Sequence, residues 1–373
     1  MLHIVKNNYF LTDFIFENLG ETSDVRVLSH RRRRVSAMRR AIKPWVAARA
    51  RPRGCSAYFD PDYLSQLKAI PSTDDVLFFD IDDLKDLLIL RSFVATERPW
   101  VWLWNPVRDF LKSSRQAANF EARLRAEGFR IATFDPQDAR THGFCLLPQV
   151  YRDVSLTTGA RQPVDVFFVG REKNRLAELL RWKALLQERH LSVDFHIVRD
   201  RGIRHASSEL DALVDAPMPY AETLRRIANS RCILEILQGG QTGLSVRSLE
   251  ALFLGKKLIT NNLRLREEPI YDRDRVFLIG LDDENDLLEF LGRPTPEISK
   301  ELREQFEVRS WIRNFRDSSA AELATTAPGH ATRGPMAGDA RPVVHSASAG
   351  HGPARGQSPS CPPSSIPRQC GQE

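Results

Sequence analysis

Most of this chain alternates between short apolar strands and amphipathic helices, and this pattern restricts the fold more than any other feature. In the first part of the chain, strand-like segments are apolar at successive positions, and the segments between them repeat apolar residues at helical spacing. Such strands are buried on both faces, as in a parallel sheet covered by helices. The strand segments are LHIV, VRVLS, DVLFFD, RPWVWLWN and FRIATFD. We therefore predict a doubly wound α/β domain over residues 1–151.

The same alternation restarts after residues 152–163, where polar and turn-forming residues predict a linker. A chain of 373 residues is also long for a single hydrophobic core. We predict a second Rossmann-like α/β domain over residues 164–296 and a terminal helix over 297–317. Residues 318–373 are rich in Ala, Gly, Pro and Ser and offer too little apolar surface to offset the entropy of ordering, so we expect a disordered tail.

The composition excludes several classes of protein. Hydrophobic residues make up 42% of the chain, yet no apolar run reaches the roughly 18 residues of a membrane-spanning helix. The first residues lack the apolar core and cleavage site of a signal peptide, so we expect a cytoplasmic protein. Five cysteines are scattered without the spacing of a zinc site or a disulfide framework.

The segment QGGQTGLSVRSLEALFLG, residues 238–255, places glycines and small polar residues between an apolar strand and a helix. Glycines let the backbone approach a ligand, and the first turn of a helix offers unpaired N–H groups, which together favour a phosphate. Glu250, farther along this helix, is placed to accept the hydroxyls of a ribose, with Arg247 balancing its charge. The alternative is an ordinary strand-to-helix turn with Glu250 on the helix surface. The candidate nucleotide-binding residues of this segment are Gln241, Thr242, Gly243, Ser245, Arg247 and Glu250.

A second candidate site follows the first strand of the second domain. The segment VDVFFVGREKNR leads from that strand into Gly170, Arg171, Lys173 and Arg175. Ligands of open α/β sheets bind at the carboxyl ends of the strands, and guanidinium groups suit the oxygens of a diphosphate. The alternative is that these cations only form the solvent-exposed first turn of a helix. It is weakened because cations at the beginning of a helix oppose its dipole unless an anion is bound there.

Together these features resemble the GT-B fold of nucleotide-sugar glycosyltransferases, in which two Rossmann-like domains face each other across a cleft. The segments WNP, FDPQDA, DVFFVGREKNR and GQTGLSVRSLEALFLGKKLITNN resemble more closely a bacterial family of lipopolysaccharide and capsular polysaccharide biosynthesis, and the similarity covers residues 1–316. The resemblance implies a nucleoside-diphosphate sugar as donor and a cell-surface glycan or lipid-linked molecule as acceptor. It also implies that Arg171 and Lys173 hold the diphosphate and that Glu250 holds the ribose.

The chain departs from the better-known retaining GT-B enzymes at one position. Those enzymes have a second glutamate upstream of the ribose-binding one, and Gly243 stands in its place here. The nearest upstream acid is Glu235, inside a predicted strand. The choice between retention and inversion of the sugar is therefore left open.

Acids and amides follow several predicted strands of the first domain, at Asp80, Asn105 and Asp135. The carboxyl ends of these strands face the cleft in this architecture. An inverting transfer needs a general base on the acceptor hydroxyl, and the candidate catalytic residues are Asp135 and Asp138. The alternative is that each acid caps a helix or opens a turn, since a retaining transfer can proceed without a protein base.

The second domain carries no DxD-like pair of acids of the kind that holds a metal ion beside a diphosphate. A DxD pattern occurs in the segment DIDDL, residues 80–84, but this segment belongs to the first domain. We therefore expect no metal ion and no other cofactor. The helix dipole and the cations are expected to neutralise the leaving diphosphate instead.

The charge of the chain is concentrated in one segment. The net charge is +6, but the stretch from Arg26 to Arg53 contains many cations and no acid. Such a segment suits an anionic membrane surface, and it equally suits nucleic acid. The resemblance to glycan enzymes favours the membrane, so we expect peripheral association with the inner face of the plasma membrane and no nucleic-acid partner.

Two other functions fit parts of the pattern. One is a nucleotide-sugar isomerase or hydrolase of the same fold, which would release free sugar without an acceptor. The other is a non-catalytic nucleotide- or nucleic-acid-binding protein that uses Arg31 to Arg34.

Overall fold

The structure is a computed structural model. It describes residues 1–17, 19, 24–49, 56–81, 83–107, 114–154, 163–200, 202–237 and 242–316, and the statements below concern these residues. Three expectations fall outside them: Gln241, most of the 152–163 linker and the tail over 318–373.

The first domain contains one parallel sheet with the order β2-β1-β3-β4-β5-β6 among its described strands. The strands are β1 (Leu2–Lys6), β2 (Val25–Ser29), β3 (Asp75–Phe79), β4 (Trp100–Leu103), β5 (Arg130–Thr133) and β6 (Cys145–Leu146). The helices between them are α1 (Phe10–Phe16), α2 (Ala37–Arg49), α3 (Pro61–Lys68), α4 (Leu84–Arg91), α5 (Ser114–Ala126) and α6 (Pro136–His142). Leu2 of β1 is in register with Val25 of β2 and with Asp75 of β3. The chain therefore reverses its direction across the sheet at β1, which is the switch point of a doubly wound sheet.

Both faces of this sheet are buried, as the successive apolar residues predicted. All five residues of β1 are buried. In β3, Phe78 belongs to a core with α3, α4 and α5, whereas Phe79 belongs to a core with α1 and the end of the described chain. Alternate side chains of one strand thus enter two separate cores.

The second domain contains a parallel sheet with the order β12-β11-β10-β7-β8-β9. Its strands are β7 (Val164–Arg171), β8 (Val193–Val198), β9 (Leu213–Val214), β10 (Ser230–Glu235), β11 (Lys257–Thr260) and β12 (Val276–Leu278). Its helices are α7 (Leu176–Glu188), α8 (Ser207–Leu210), α9 (Tyr220–Ala228), α10 (Val246–Phe253) and α11 (Leu287–Gly292). Counted from β7, this is the 3-2-1-4-5-6 order of the Rossmann fold. Its switch point lies between β7 and β10.

The terminal segment differs from the single helix predicted over 297–317. It forms α12 (Lys300–Phe306), α13 (Val308–Trp311) and a 3-10 turn (Ile312–Phe315). The break lies at Glu307, whose backbone is extended and whose carboxylate accepts a hydrogen bond from the N–H of Arg309 at 2.7 Å, capping α13. The ring of Trp311 lies 4.9 Å from that of Trp102, so the chain ends against the sheet of the first domain.

Two helices of the first domain were not predicted. Helix α2 lies inside the basic segment, and α6 begins directly after Asp135, where only a turn opener was recognised. Asp135 is the N-cap of α6, and Pro136 occupies its first turn, where a missing N–H costs nothing. Within the described residues, no helix is both long and apolar enough to cross a bilayer.

Candidate functional site

A cavity of about 440 Å³ opens at the switch point of the second sheet. We call it the second-domain cavity. The ends of β7 and β10 and the beginning of α10 line it, and Tyr9 and Phe10 of the first domain close one side. It brings together most of the residues predicted from the two separate motifs: Gly170, Arg171, Lys173, Arg175, Ser245 and Arg247.

The side chain of Arg175 is fixed at this cavity by two contacts. Its Nη2 donates a hydrogen bond to the carbonyl oxygen of Arg171 at 3.0 Å, and its guanidinium lies 5.5 Å from the centre of the Phe168 ring. A side chain at Gly170 would place its Cβ 3.1 Å from Nη2 of Arg175, so the glycine leaves room for the guanidinium. Burial lowers the pKa of Arg175 to about 10. It therefore stays charged at neutral pH and is costly to bury without an anion.

Lys173 lies in a strained loop between β7 and α7, directly after Arg171 at the end of β7 and Glu172. Lys173 and Asn174 have φ values of +44° and +59°, which residues other than glycine rarely adopt. The loop is fixed by Asp200, which accepts a hydrogen bond from the N–H of Lys173 at 2.9 Å and pairs with Arg171 at 3.4 Å. Strain of this kind is typical of ligand-binding loops.

The beginning of α10 is organised by a buried carboxylate. Ser245 caps the helix by accepting a hydrogen bond from the N–H of Arg247 at 2.9 Å, and its hydroxyl donates to Glu235. Glu235 also accepts hydrogen bonds from the hydroxyls of Ser248 at 3.0 Å and Thr260 at 2.6 Å. Glu235 lines the cavity but is saturated by three hydroxyls, so it acts to position the helix.

Glu250 does not line the cavity. Its side chain is 0% exposed, forms an ion pair with Arg247 and accepts a hydrogen bond from the hydroxyl of Tyr220 at 2.9 Å. The Tyr220 hydroxyl in turn lies 2.7 Å from that of Tyr151. Burial raises the pKa of Glu250, and the charge of Arg247 acts in the opposite direction. The ribose contact predicted for Glu250 would require Arg247 to turn away.

Arg247 is the member of this pair that reaches the cavity. Its side chain is 26% exposed, whereas that of Glu250 is fully enclosed. Burial acts to lower the pKa of Arg247, but Glu250, with smaller contributions from Tyr220 and Tyr151, outweighs burial and raises the pKa. Glu250 therefore fixes both the charge and the position of Arg247 at the cavity wall.

Thr242 and Gly243 contact the first domain. The N–H groups of Thr242 and Gly243 donate to Oδ2 of Asp135 at 3.0 and 3.1 Å, and the hydroxyl of Thr242 donates to Oδ1 at 2.8 Å. Both residues were predicted to contact the nucleotide. A carboxylate from the other domain occupies their N–H groups in this structure.

The two candidate catalytic acids, Asp135 and Asp138, are both buried. Burial acts to raise the pKa of Asp135, but the hydrogen bonds from Thr242, together with those from the N–H groups of Asp138 and Gln137, outweigh burial and lower the pKa. Asp138 accepts a hydrogen bond from the N–H of Val107 at 2.8 Å. These contacts favour positioning roles, and the general-base prediction stays a prediction.

A second cavity, of about 800 Å³, lies at the switch point of the first sheet. We call it the first-domain cavity. Asp80, directly after β3, lies in it with φ of +55°, again a strained backbone. Its carboxylate accepts hydrogen bonds from the amides of Asn7 at 2.5 Å and Asn105 at 3.4 Å. Asp80 and Asn105, which both follow predicted strands, thus contact each other in the structure, and Asn7, directly after β1, joins them.

Tyr9 lines both cavities and was missed by the sequence analysis. It lies between β1 and α1, is 43% exposed, and its ring centre lies 4.2 Å from that of Phe10. Phe10 in turn lies 5.7 Å from Tyr220 of the second domain. The available signal was a pair of aromatic residues shortly after a strand. We had assigned both of them to the apolar face of α1.

The donor atoms of the described residues do not favour a metal centre. No group of three or more His, Cys, Asp or Glu side chains in the described ranges is placed to hold an ion. The second-domain cavity instead presents cationic side chains from two loops, which suit an anionic ligand.

Comparison with known proteins supports no family assignment, since no family model and no curated relative matches the chain. Among solved structures, it is similar to a trehalose-phosphate synthase from Burkholderia vietnamiensis at 13% identity and a TM-score of 0.49, covering 88% of this chain and 100% of that one. It is also similar to WaaG, a glycosyltransferase involved in lipopolysaccharide biosynthesis (12% identity, TM-score 0.45, 88% and 100% covered). A glycosyltransferase from Rickettsia africae is similar at 9% identity and a TM-score of 0.48, with 87% and 99% covered. At these identities we take the fold from the strand orders of the two sheets and not from the comparison. The two sheets form the two Rossmann-like domains that we expected of a GT-B protein.

Proposed function

We propose that the protein is a glycosyltransferase that moves a sugar from a nucleoside-diphosphate donor to a cell-surface glycan or lipid-linked acceptor. The observation that carries this proposal is the second-domain cavity, where four cationic side chains meet at the nucleotide-binding position of a Rossmann sheet. Tyr9 joins this cavity to the first-domain cavity, which holds a carboxylate. One cavity suits a donor diphosphate and the other an acceptor hydroxyl.

In this proposal the donor diphosphate lies between Arg175 and Arg247, with Arg171 and Lys173 beside it. Guanidinium groups bind phosphate oxygens through two parallel hydrogen bonds, and the low exposure of Arg175 strengthens the attraction. We assign Glu250 to holding Arg247, because its carboxylate is enclosed behind that side chain.

On the acceptor side, we assign Asp80 to the accepting hydroxyl. Its carboxylate lines the first-domain cavity and is oriented by two amides. In an inverting transfer Asp80 would take the proton of the attacking hydroxyl, and in a retaining transfer it would orient that hydroxyl.

We propose that the transfer needs no metal ion. The leaving diphosphate carries negative charge, and the guanidinium groups of Arg175 and Arg247 are placed to neutralise it. Turnover should therefore be unchanged in excess EDTA. Loss of turnover in EDTA with recovery on addition of Mn²⁺ would contradict this part of the proposal.

We further propose that α2 attaches the protein to the inner face of the plasma membrane. Met38 and Ile42 lie on one face of this helix, and their side chains are 73% and 45% exposed. Arg39 and Arg40 lie between these two residues in the sequence. Exposed apolar side chains flanked by cations are typical of a helix that lies on an anionic bilayer. The protein should sediment with vesicles that contain phosphatidylglycerol and not with pure phosphatidylcholine.

The proposal is tested by turnover of nucleoside-diphosphate sugars with and without a lipid-linked saccharide fraction. We expect release of nucleoside diphosphate only with the acceptor fraction, and we expect Asp80→Asn to lower turnover by about 10² to 10⁴. Asp62→Asn, on the exposed side of α3, is the matched control and should leave turnover unchanged. Free sugar formed without acceptor would indicate a hydrolase, and an Asp80→Asn variant with full turnover would remove Asp80 from the mechanism.

A further inference from the structure

Four consecutive arginines, Arg31 to Arg34, lie on a fixed backbone, and the first three of them line the first-domain cavity. The N–H of Arg33 donates to the carbonyl of Tyr58 at 2.9 Å, and the N–H of Asp60 donates to the carbonyl of Arg31 at 3.0 Å. Arg32 and Phe59 form an antiparallel bridge between these two bonds. The arginines therefore belong to a pinned segment and not to a free loop.

A third cavity, of about 770 Å³, lies on the other side of this segment, and we call it the basic cavity. Two carboxylates in its wall, those of Asp83 and Asp86, pair with cations of the same wall. Asp86 is 0% exposed and pairs with Arg32 and Lys43, while Asp83 lies 3.1 Å from Lys43. Burial acts to raise the pKa of Asp83, but Lys43 and Lys85 together outweigh burial and lower the pKa. The two acids thus neutralise Arg32 and Lys43.

The three arginines that remain in the basic cavity have no such compensation, whereas the charge of Lys85 acts on Asp83. Arg33, Arg34, Arg40 and Lys85 line it, and no ion pair joins them to a carboxylate within the described ranges. Cations that converge on a concave surface repel each other unless an anion lies between them. The arrangement therefore has the composition of an anion-binding site.

The basic cavity adjoins the site proposed for the acceptor. Arg33 lines both the basic cavity and the first-domain cavity, and Asp80 lies in the latter. Tyr9 then connects the first-domain cavity to the second-domain cavity. A molecule whose hydroxyl lies at Asp80 can thus extend its other end towards Arg33.

We infer that the acceptor carries a phosphate group, and that Arg33, Arg34, Arg40 and Lys85 bind this phosphate while the accepting hydroxyl lies at Asp80. The inference rests on the proposed function, since it names the chemistry of the acceptor at that site. Arginine side chains in a concave wall match the tetrahedral oxygens of a phosphate. A flat membrane surface would contact the exposed face of α2 instead.

The matched pair Arg39 and Arg40 tests this inference. The two are neighbours on α2 and both are exposed, but only Arg40 lines the basic cavity. Calorimetric titration with glucose 1-phosphate, and with glucose as the neutral probe, is made on the full chain and on Arg33→Ala, Arg40→Ala and Arg39→Ala. We expect binding of glucose 1-phosphate but not of glucose, weakened about tenfold or more by Arg33→Ala and Arg40→Ala and unchanged by Arg39→Ala.

Two further titrations separate the possible sources of the signal. In Arg175→Ala, which removes a cation of the second-domain cavity, glucose 1-phosphate should still bind. Loss of binding in Arg175→Ala with full binding in Arg40→Ala would overturn the inference, because the phosphate would then lie in the second-domain cavity. Equal effects of Arg39→Ala and Arg40→Ala on glucose 1-phosphate would overturn it as well.

Vesicles of phosphatidylglycerol distinguish a bound phosphate from a lipid surface. If Arg33→Ala and Arg40→Ala weaken vesicle binding but leave glucose 1-phosphate binding intact, these residues serve the membrane and the inference fails. The proposed function is judged separately, by binding of nucleoside diphosphates. A protein that binds them and ignores glucose 1-phosphate keeps the proposed function and loses the inference.

Discussion

At the scale of single residues, the site depends on a carboxylate that no ligand reaches directly. Glu250 is enclosed by Arg247 and Tyr220, so its charge acts on Arg247 and through it on the cavity. Removing one partner of such a pair is costly, because the remaining charge stays partly buried.

We predict that Glu250→Gln lowers the free energy of unfolding by about 2 kcal/mol, since Arg247 loses its charged partner but keeps some contact with water. Nucleoside-diphosphate affinity should fall together with stability. A double-mutant cycle of Glu250→Gln with Arg247→Ala should be strongly non-additive. Additive effects on affinity would instead support a direct contact of Glu250 with the ribose, as the sequence suggested.

His30 makes the stability of the first domain depend on pH. Burial lowers its pKa from 6.5 to about 4; the nearby Asp86 and Asp83 oppose this shift, and Arg32 and Lys43 reinforce it. Between pH 6.5 and pH 4, His30 is protonated in the unfolded chain but not in the folded chain. The free energy of unfolding should therefore be unaffected above pH 6.5 and fall by up to about 3 kcal/mol as the pH approaches 4.

Chemical denaturation across this pH range checks the prediction, with His30→Gln as the control. The variant lacks the titrating ring, so its loss of stability below pH 6.5 should be smaller than that of the wild type. Equal slopes in both proteins would show that other groups cause the acid sensitivity.

At the scale of elements, the loop before α10 is held by the first domain. Asp135 caps α6 and at the same time accepts hydrogen bonds from Thr242 and Gly243. The loop at the second-domain cavity therefore rests on the end of β5 and the beginning of α6. Displacing this loop disturbs both domains.

We predict that Gly243→Ala destabilises the protein by about 1 to 3 kcal/mol through overpacking. A Cβ at this position would lie 2.6 Å from the ring of Phe134 and 2.8 Å from its carbonyl oxygen, so the backbone must shift. The matched control is Gly292→Ala, where a Cβ meets nothing within 4 Å. Thermal denaturation compares the two, and equal melting temperatures would show that the loop moves without cost.

The elements that the sequence predicted well are those with a clear period. Most strands of both sheets and helices such as α7 and α9 follow from apolar spacing, which needs no knowledge of the partner segments. The two-residue strands β6 and β9 were not predicted, because they are too short to show a period. Helix α2 was missed because its arginines hide the spacing of Met38 and Ile42. The break at Glu307 was missed because it depends on a local cap and on the bridge to Tyr151.

At the scale of the whole molecule, the two domains share their packing. Phe14 of α1 lies 4.8 Å from Tyr220 and 5.4 Å from Tyr151, and the ring of Phe315 lies 5.5 Å from Trp100. The last described residues thus pack against the first domain.

This shared packing explains which parts of the site were predictable. The cations after β7 and the beginning of α10 were predicted as two separate candidate sites, and only the family resemblance assigned one donor to both. The structure brings them together because β7 and β10 are neighbours, and the carboxyl ends of neighbouring parallel strands share one edge of a sheet. The contacts of Asp135 with Thr242 and the position of Tyr9 join segments of different domains. No local pattern encodes them, since they arise only when the domains pack together.

The central claim is that the second-domain cavity binds a nucleoside diphosphate. Calorimetric titration of UDP, ADP, GDP and TDP tests it most directly, on the wild type, on Arg175→Ala, and on Arg181→Ala, an exposed arginine of α7 outside the cavity. We predict that at least one diphosphate binds, that Arg175→Ala weakens it about tenfold or more, and that Arg181→Ala binds as the wild type does. Absence of binding to the wild type, or equal binding by both variants, would contradict the claim.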